Sequence, residues 1–342
     1  MKVNTISLNS VRLNTIALNH IGEIRSGGGS KPSPIPQWIR EHVVFYYDVK
    51  KQGATNETLK ESAYLQDLSG KGRRMKLNNF LFDMMSGVDG YNNEAFNKSA
   101  GSSFEWELID SRTIKGKASQ VFTDFGYYHI KDVTNNVMHI NWHIDGIQEG
   151  NKVYLTQYTY NNFKIELHNG DNHVALDVSE NTDRPNYFYV SVISDQPYST
   201  DITITQIPEY PGALVTDGVD DYGLVENLSS GVKMLFMTVK PIGDFNIGKM
   251  YYSQRYNPID ITPFYIFTGG TNIAYAGNRD GLTYINGVLN KSIKYNELFG
   301  VKHTITTVND NVKPETSKAP SFFWEEGNTK NYCSRLAFYN SI

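Results

Sequence analysis

Short bursts in which apolar and polar residues alternate run along most of this chain, and Gly, Asn and Asp interrupt them about every ten residues. A period of two marks a strand, because successive side chains leave a pleated backbone on opposite faces. Residues 43–49 (VVFYYDV) read as a buried strand, 75–82 and 233–239 as two more, and 335–339 as the closing one. Residues 282–289 alternate on both sides of Asn286-Gly287, the dipeptide that most favours a two-residue hairpin turn. The middle of the chain has its own series at 137–144, 152–160, 162–167, 174–178, 187–193 and 200–207. The pattern predicts an all-β protein.

The N-terminal residues follow a different rule. In register from Asn4 they read NTISL, NSVRL, NTIAL, NHIGE, with Asn at 4, 9, 14 and 19. Apolar residues fall at Ile6, Leu8, Val11, Leu13, Ile16, Leu18 and Ile21, in gaps that alternate between two and three. A helix needs gaps of three and four, and a simple strand a constant two, so neither template fits. Four pentads make about one coil of a solenoid, too little to bury a core alone. A frayed tail is one reading. The other, which we expect, is an anchor over residues 1–25 that orders against a partner or sister chains. Residues 26–37 then form a linker, flexible at Ser26-Gly27-Gly28-Gly29-Ser30 and stiffer through Pro32, Pro34 and Pro36.

The 342 residues suffice for two domains at about 150 each. The middle stretch, 99–208, matches the length of a seven-stranded sandwich. It returns through Pro208-Glu209-Tyr210-Pro211-Gly212, a stiff junction. A middle domain nested in a loop of the other is the expected arrangement; consecutive domains are the alternative.

Composition removes several partners. The net charge is −4 and the 32 Lys and Arg are scattered, so nucleic acid is not expected. No run approaches the ~18 apolar residues of a membrane span. Lys2 is the only early charge, and Asn and Ser break what would be the apolar core of a signal peptide. Cys333 is the only cysteine, which leaves no intrachain disulfide and no Cys-rich metal site. A chain made in a host cytoplasm and acting outside it, in a particle released by lysis, is the expectation these features suggest. The 23 Tyr and 17 Phe fit pleated, half-buried surfaces.

Four motifs occur in order: D-x-S-G-x-G at 67–72, L-V-x-D-G-V-D-D-Y at 214–222, Y-I-N-G-V at 284–288 and L-A-F-Y-N at 336–340. The set resembles the laminin-G-like/concanavalin A-like lectin superfamily. The resemblance covers residues 38–98 and 209–342 and implies a jelly-roll sandwich there. Residues 99–208 are then expected to be an inserted immunoglobulin-like β-sandwich. The pentad tail, the spacer, DLSGKGRRMKLNNF, MSGVDGY and ALVTDGVDDY together are similar to structural proteins of phages and prophages of gut Bacteroidales, including crAss-like phages. That resemblance implies a head-fibre, tail-fibre or related virion surface component, often oligomeric, with a homotrimer favoured and residues 1–25 meeting other virion proteins.

Candidate chemistry is sparse. His139 and His143 share a strand face, but zinc needs three or four ligands and the spacing points to no third. Asp217, Asp220 and Asp221 could supply carboxylates to calcium, or form a structural turn entering a strand; Asn309-Asp310-Asn311 is a weaker case. No other cofactor is expected. Glu105, Glu107, Glu325 and Glu326 do not isolate the acid and base of a glycosidase. Cys333 reads as a small buried thiol, and no hydrolase elbow, zinc-protease motif or phosphate loop occurs. A glycan face combines aromatic platforms with placed polar groups, for which the candidates are Tyr252, Arg255, Tyr256, Asn278, Arg279, Asp280 and Trp324. The expectation is a non-enzymatic virion protein that binds cell-surface polysaccharide. Its rivals are a bacterial glycan-binding module outside any particle and a polysaccharide-cleaving enzyme.

Overall fold

A computed structural model describes residues 41–82, 86–91, 96, 106–116, 124–128, 137–149, 152–157, 164–177, 187–193, 201–228, 232–242, 250–254, 264–269, 273–277, 282–289, 298–308, 321–323 and 335–342. The anchor and linker, residues 1–37, lie outside them. The chain is all-β, built of antiparallel sheets with little helix. It divides into two compact units, one from the stretches up to Phe82 and from Gly212 to Ile342, the other from Asp83–Pro211.

The first unit opens with β1 (Tyr47–Asp48), the short helix α1 (Asn56–Ser62), β2 (Tyr64–Leu65) and β3 (Met75–Asn78). The second holds β4 (Gly87–Val88), β5 (Trp106–Asp110), β6 (Thr113–Gly116), β7 (Asp124–Tyr128), β8 (Val137–Asp145), β9 (Lys152–Gln157), β10 (Lys164–Leu167), β11 (Gly170–Asp177), β12 (Tyr187–Ile193) and β13 (Ile202–Gln206). The first unit resumes with β14 (Leu214–Val215), β15 (Tyr222–Val225), β16 (Met234–Pro241), β17 (Met250–Gln254), β18 (Phe264–Gly269) and β19 (Ile273–Gly277). It ends with β20 (Leu282–Ile285), β21 (Val288–Leu289), β22 (His303–Val308), β23 (Ser321–Phe322) and β24 (Leu336–Ser341).

In the first unit one sheet runs β21-β20-β22-β16-β24-β14, with β1 also on β24. The first and last strands of the unit are therefore partners, Tyr47 opposite Ser341. The other sheet runs β19-β18-β17-β23-β15-β3-β2. On β16 the alternation buries Leu235, Met237, Val239 and Pro241. The register sets Met237 opposite Ile305, and Ile305 opposite Ile285, so one row crosses three strands of the core. Aromatic rings join the two sheets: Phe322 of β23 lies 5.7 Å from Phe338 of β24 and 6.0 Å from Phe45. Phe323 reaches the same ring at 5.4 Å. Two successive residues can both face inward because Phe323 leaves the strand at φ 70.

The hairpin expected at Asn286-Gly287 is present. β20 pairs with β21, and the two turn residues stand at φ 50 and φ 80, the positive values a type I′ turn requires. The strands at 43–49 and 75–82 are shorter than expected, regular pairing being confined to β1 and β3.

The second unit has a four-stranded sheet, β10-β9-β12-β7, and a five-stranded one, β11-β8-β13-β6-β5. Its pairings are nested: β6 with β13, β7 with β12, β8 with β11, β9 with β10. The chain thus folds as one long hairpin doubled over, with the outermost partners furthest apart in sequence. This corrects the immunoglobulin-like expectation, whose two sheets run A-B-E-D and C-F-G. Strands β5, β6 and β7 add to the six read from the sequence. Ile204 sits between Ile144 and Ile114 in one row, and Ile140, Trp142 and Ile202 complete the buried face. Among the described residues of the smaller sheet, Val153 and Leu167 are buried. The buried Gln206 accepts a hydrogen bond from Arg112 Nη1 at 2.7 Å.

Candidate functional site

The D-x-S-G-x-G motif is a structural hub. Asp67 Oδ1 accepts from the backbone N–H groups of Tyr46 and Ser69, both at 2.9 Å. Its Oδ2 accepts from Ser69 Oγ at 2.8 Å and from Arg73 N–H at 3.1 Å. One carboxylate therefore ties the approach to β1 to the loop before β3.

The acidic run before β15 is built in the same way. Asp217 Oδ1 accepts from the N–H groups of Val219 (2.7 Å) and Asp220 (3.3 Å), and Asp221 Oδ2 accepts from Asp217 N–H at 2.7 Å. Gly218 stands at φ +77, and a Cβ there would come within 2.7 Å of Arg335 Cβ. The turn therefore needs glycine between its aspartates. The carboxylates of Asp217, Asp220 and Asp221 offer ligand atoms within 4.8 Å of one another. Asp217 Oδ1 and Asp221 Oδ2 already hold backbone N–H groups. What the geometry displays is a turn that delivers the chain from β14 to β15; calcium would have to use the remaining oxygens and loop carbonyls.

Among the glycan candidates, Tyr252 lies on β17, its backbone opposite Ile266 and Phe322. Arg255, Tyr256, Asn278, Arg279, Asp280 and Trp324 lie outside the described residues, as do the anchor residues Ile6, Leu8, Val11, Leu13, Ile16, Leu18 and Ile21. Glu105, Glu325, Glu326, Cys333 and Asn309-Asp310-Asn311 also lie outside them.

A surface the sequence reading missed lies on the outward face of the sheet containing β16. The residues alternating with the buried ones on β16 are Met234, Phe236, Thr238 and Lys240, and the register carries the rows of the first two across the sheet. One row is Met234, Val308 and Leu282; the next is Phe236, Thr306, Tyr284 and Leu289. Ile342 extends the second row by exchanging both backbone hydrogen bonds with Phe236, at 2.9 and 2.8 Å. Met234, Leu282 and Leu289 are 43%, 48% and 39% exposed. An antiparallel sheet with one solvated face ordinarily turns polar residues outward, so an apolar outward face suggests a contact surface. The signal in the sequence was the unbroken apolar run at 234–237, which departs from strict alternation.

Two groups in the first unit have shifted acidities. Burial holds the His303 imidazole below its ordinary pKa, while its Nδ1 contacts Val301 O at 2.9 Å. Burial likewise lowers Lys302, whose Nζ lies 3.5 Å from the centre of the Tyr339 ring. No family model, curated protein or solved structure matches this chain.

Proposed function

We propose that this chain is a non-enzymatic structural and binding protein of a virion surface, a head-fibre, tail-fibre or decoration component. Residues 1–25 hold it to other virion proteins, and its two β-units are presented to the outside. The observation that carries the reading is the nested strand order of the second unit. Eight strands paired in this way are the arrangement of a jelly roll, an architecture found in viral capsid and lectin domains. In the first unit, two sheets joined by an aromatic core and closed by pairing of the first and last strands support the laminin-G-like jelly roll suggested by the four motifs. The pentad segment and spacer ahead of this body support attachment to something larger.

The apolar outward face of β16, β22 and β20 is the proposed contact between sister chains, in a homotrimer. The loops around Tyr252, Arg255, Tyr256, Asn278, Arg279, Asp280 and Trp324 are the proposed contact with host-surface polysaccharide. Fold alone does not fix function, so the test addresses attachment. Deleting residues 1–30 is expected to leave a folded body that no longer joins its particle, read by incorporation of labelled protein. Normal incorporation of the truncated chain would overturn the anchor. Reducing-end or unsaturated product from capsular polysaccharide would replace the binding role with an enzymatic one.

A further inference from the structure

Beside its apolar rows, the outward face of the sheet containing β16 has a polar half. One row there is Thr304 on β22, Thr238 on β16, Asn340 on β24 and Asp48 on β1, set side by side by the register. At about 4.8 Å between strands the four span about 14 Å. The next row is basic. One step beyond Val239 opposite His303, the ladder brings Lys240 alongside Lys302, on the face away from those two buried residues. Like charges set directly opposite each other weaken a sheet. Asn340 stands opposite Thr238 and Phe338 opposite Val239, which leaves Tyr339 as the extra residue of a bulge. Bulges re-aim side chains, and here the Tyr339 ring meets the Lys302 ammonium, 3.5 Å from the ring centre. The ring strips water from one side of the cation although Lys302 as a whole stays exposed. Burial accordingly lowers its pKa; Asp48 opposes that shift and Lys50, just after β1, adds to it. Among the described residues no carboxylate pairs with Lys302. Asp48 is already satisfied: Oδ1 accepts from Lys51 N–H at 2.9 Å, and Oδ2 accepts from Tyr46 Oη at 3.0 Å with Lys51 Nζ at 3.4 Å. Asn340 Oδ1 is buried without a partner, which leaves the amide hydrogens as the part turned outward.

We propose that this half of the face binds an acidic polysaccharide laid across β22, β16 and β24, its carboxylate or sulfate groups on Lys302 and Lys240 and its hydroxyls on Thr304, Thr238 and Asn340. A patch whose cations and amide hydrogens point outward, and whose one carboxylate is already satisfied, calls for a ligand rich in acceptors. The Tyr339 ring holds the Lys302 ammonium in place beforehand, so less side-chain freedom is lost on binding. A bound anion also relieves the repulsion between Lys240 and Lys302. Charges along one row and hydroxyls and an amide along the next suit a polymer that carries both kinds of group on every unit. The inference rests on the proposed polysaccharide-binding role for the source of the anion, and it adds a contact on the sheet opposite the one that holds Tyr252. Lys240, Lys302 and Tyr339 are far apart in sequence and meet only when β16, β22 and β24 pair, so no local pattern marks them.

The test is biolayer interferometry of the full-length protein on immobilised polygalacturonate and dextran sulfate, with neutral dextran as control. Binding to one or both acidic polymers, and not to dextran, is expected, weakening as salt rises from about 50 to about 300 mM. Lys302→Gln should weaken it by about tenfold or more. Lys302→Arg should keep most of it, since a guanidinium retains both the charge and the ring contact. Lys76→Gln, on β3 of the other sheet, should change nothing. Lys302 and Lys76 are exposed, so both glutamine variants should fold, which circular dichroism checks; if Lys302→Gln unfolds, Lys240→Gln must show the loss instead. The proposal is overturned if neither acidic polymer binds, if dextran binds equally, or if poly-L-glutamate or DNA of equal charge binds more tightly. Wild-type affinity in the folded Lys302→Gln protein overturns it as well. Incorporation of Lys302→Gln into particles should stay normal, so failure of this site is read apart from failure of the virion assignment; loss of incorporation would make the patch an assembly contact.

Discussion

At His143 the imidazole lies between two carboxylates, and its hydrogen bond with Asp171, aided by the charge of Asp145, holds its pKa above the ordinary 6.5. At His303 burial does the reverse, keeping the ring neutral at pH values where an exposed imidazole would be charged. The two therefore act on stability with opposite signs. The His143 contribution is full below pH 6.5 and is lost as pH rises through the raised folded value. The His303 contribution is present above pH 6.5 and is lost as pH falls through the lowered one. Melting temperatures between pH 4.5 and 8.5 should show His303→Gln losing less stability than wild type on the acid side. His143→Gln should lose less on the alkaline side; parallel curves for all three proteins would contradict both assignments. The sequence disclosed these residues unequally. The acidic triad is legible because its members lie within five positions of one another, Asp217 to Asp221. The partnership of His143 with Asp171 spans 28 positions and appears only when β8 and β11 pair.

Local pattern shows elements well and their partners poorly. The Asn286-Gly287 hairpin could be read directly, because turn chemistry and alternation lie within eight residues of each other, 282–289. The nested order of the second unit could not, since β6 and β13 come from opposite ends of that unit. The pairing depends on rows such as Ile114–Ile204–Ile144, and isoleucine on alternate positions is compatible with many partners. In that sheet Trp142 of β8 is fully buried, with Phe96 5.8 Å away. Trp142→Ala should cost about 3–5 kcal/mol in urea denaturation, the range for removing a large aromatic side chain from a core. A loss below about 1 kcal/mol would mean that this face is not the core of the unit.

For the whole molecule, the all-β class followed from composition and alternation together, and the division into two units was suggested by length and by the Pro-rich junction at 208–212. The outward apolar rows were hidden because a strand apolar on both faces reads as a fully buried one. Leu282→Glu combined with Met234→Glu adds charge where both side chains are already exposed, so the fold should persist. If that face joins sister chains, light scattering should show the oligomer replaced by monomer. An unchanged mass would exclude this face as the contact.

The pairing of β1 with β24 also bears on how the protein is made. On a ribosome, Tyr47 must wait for Ser341, 294 positions later, on the order of 15–60 s at ordinary rates of synthesis. The second unit is continuous in sequence and is finished long before. The nascent chain therefore completes its inserted unit while the flanking one still lacks its last strand, and stalling late in translation would expose that unclosed sheet rather than the insert.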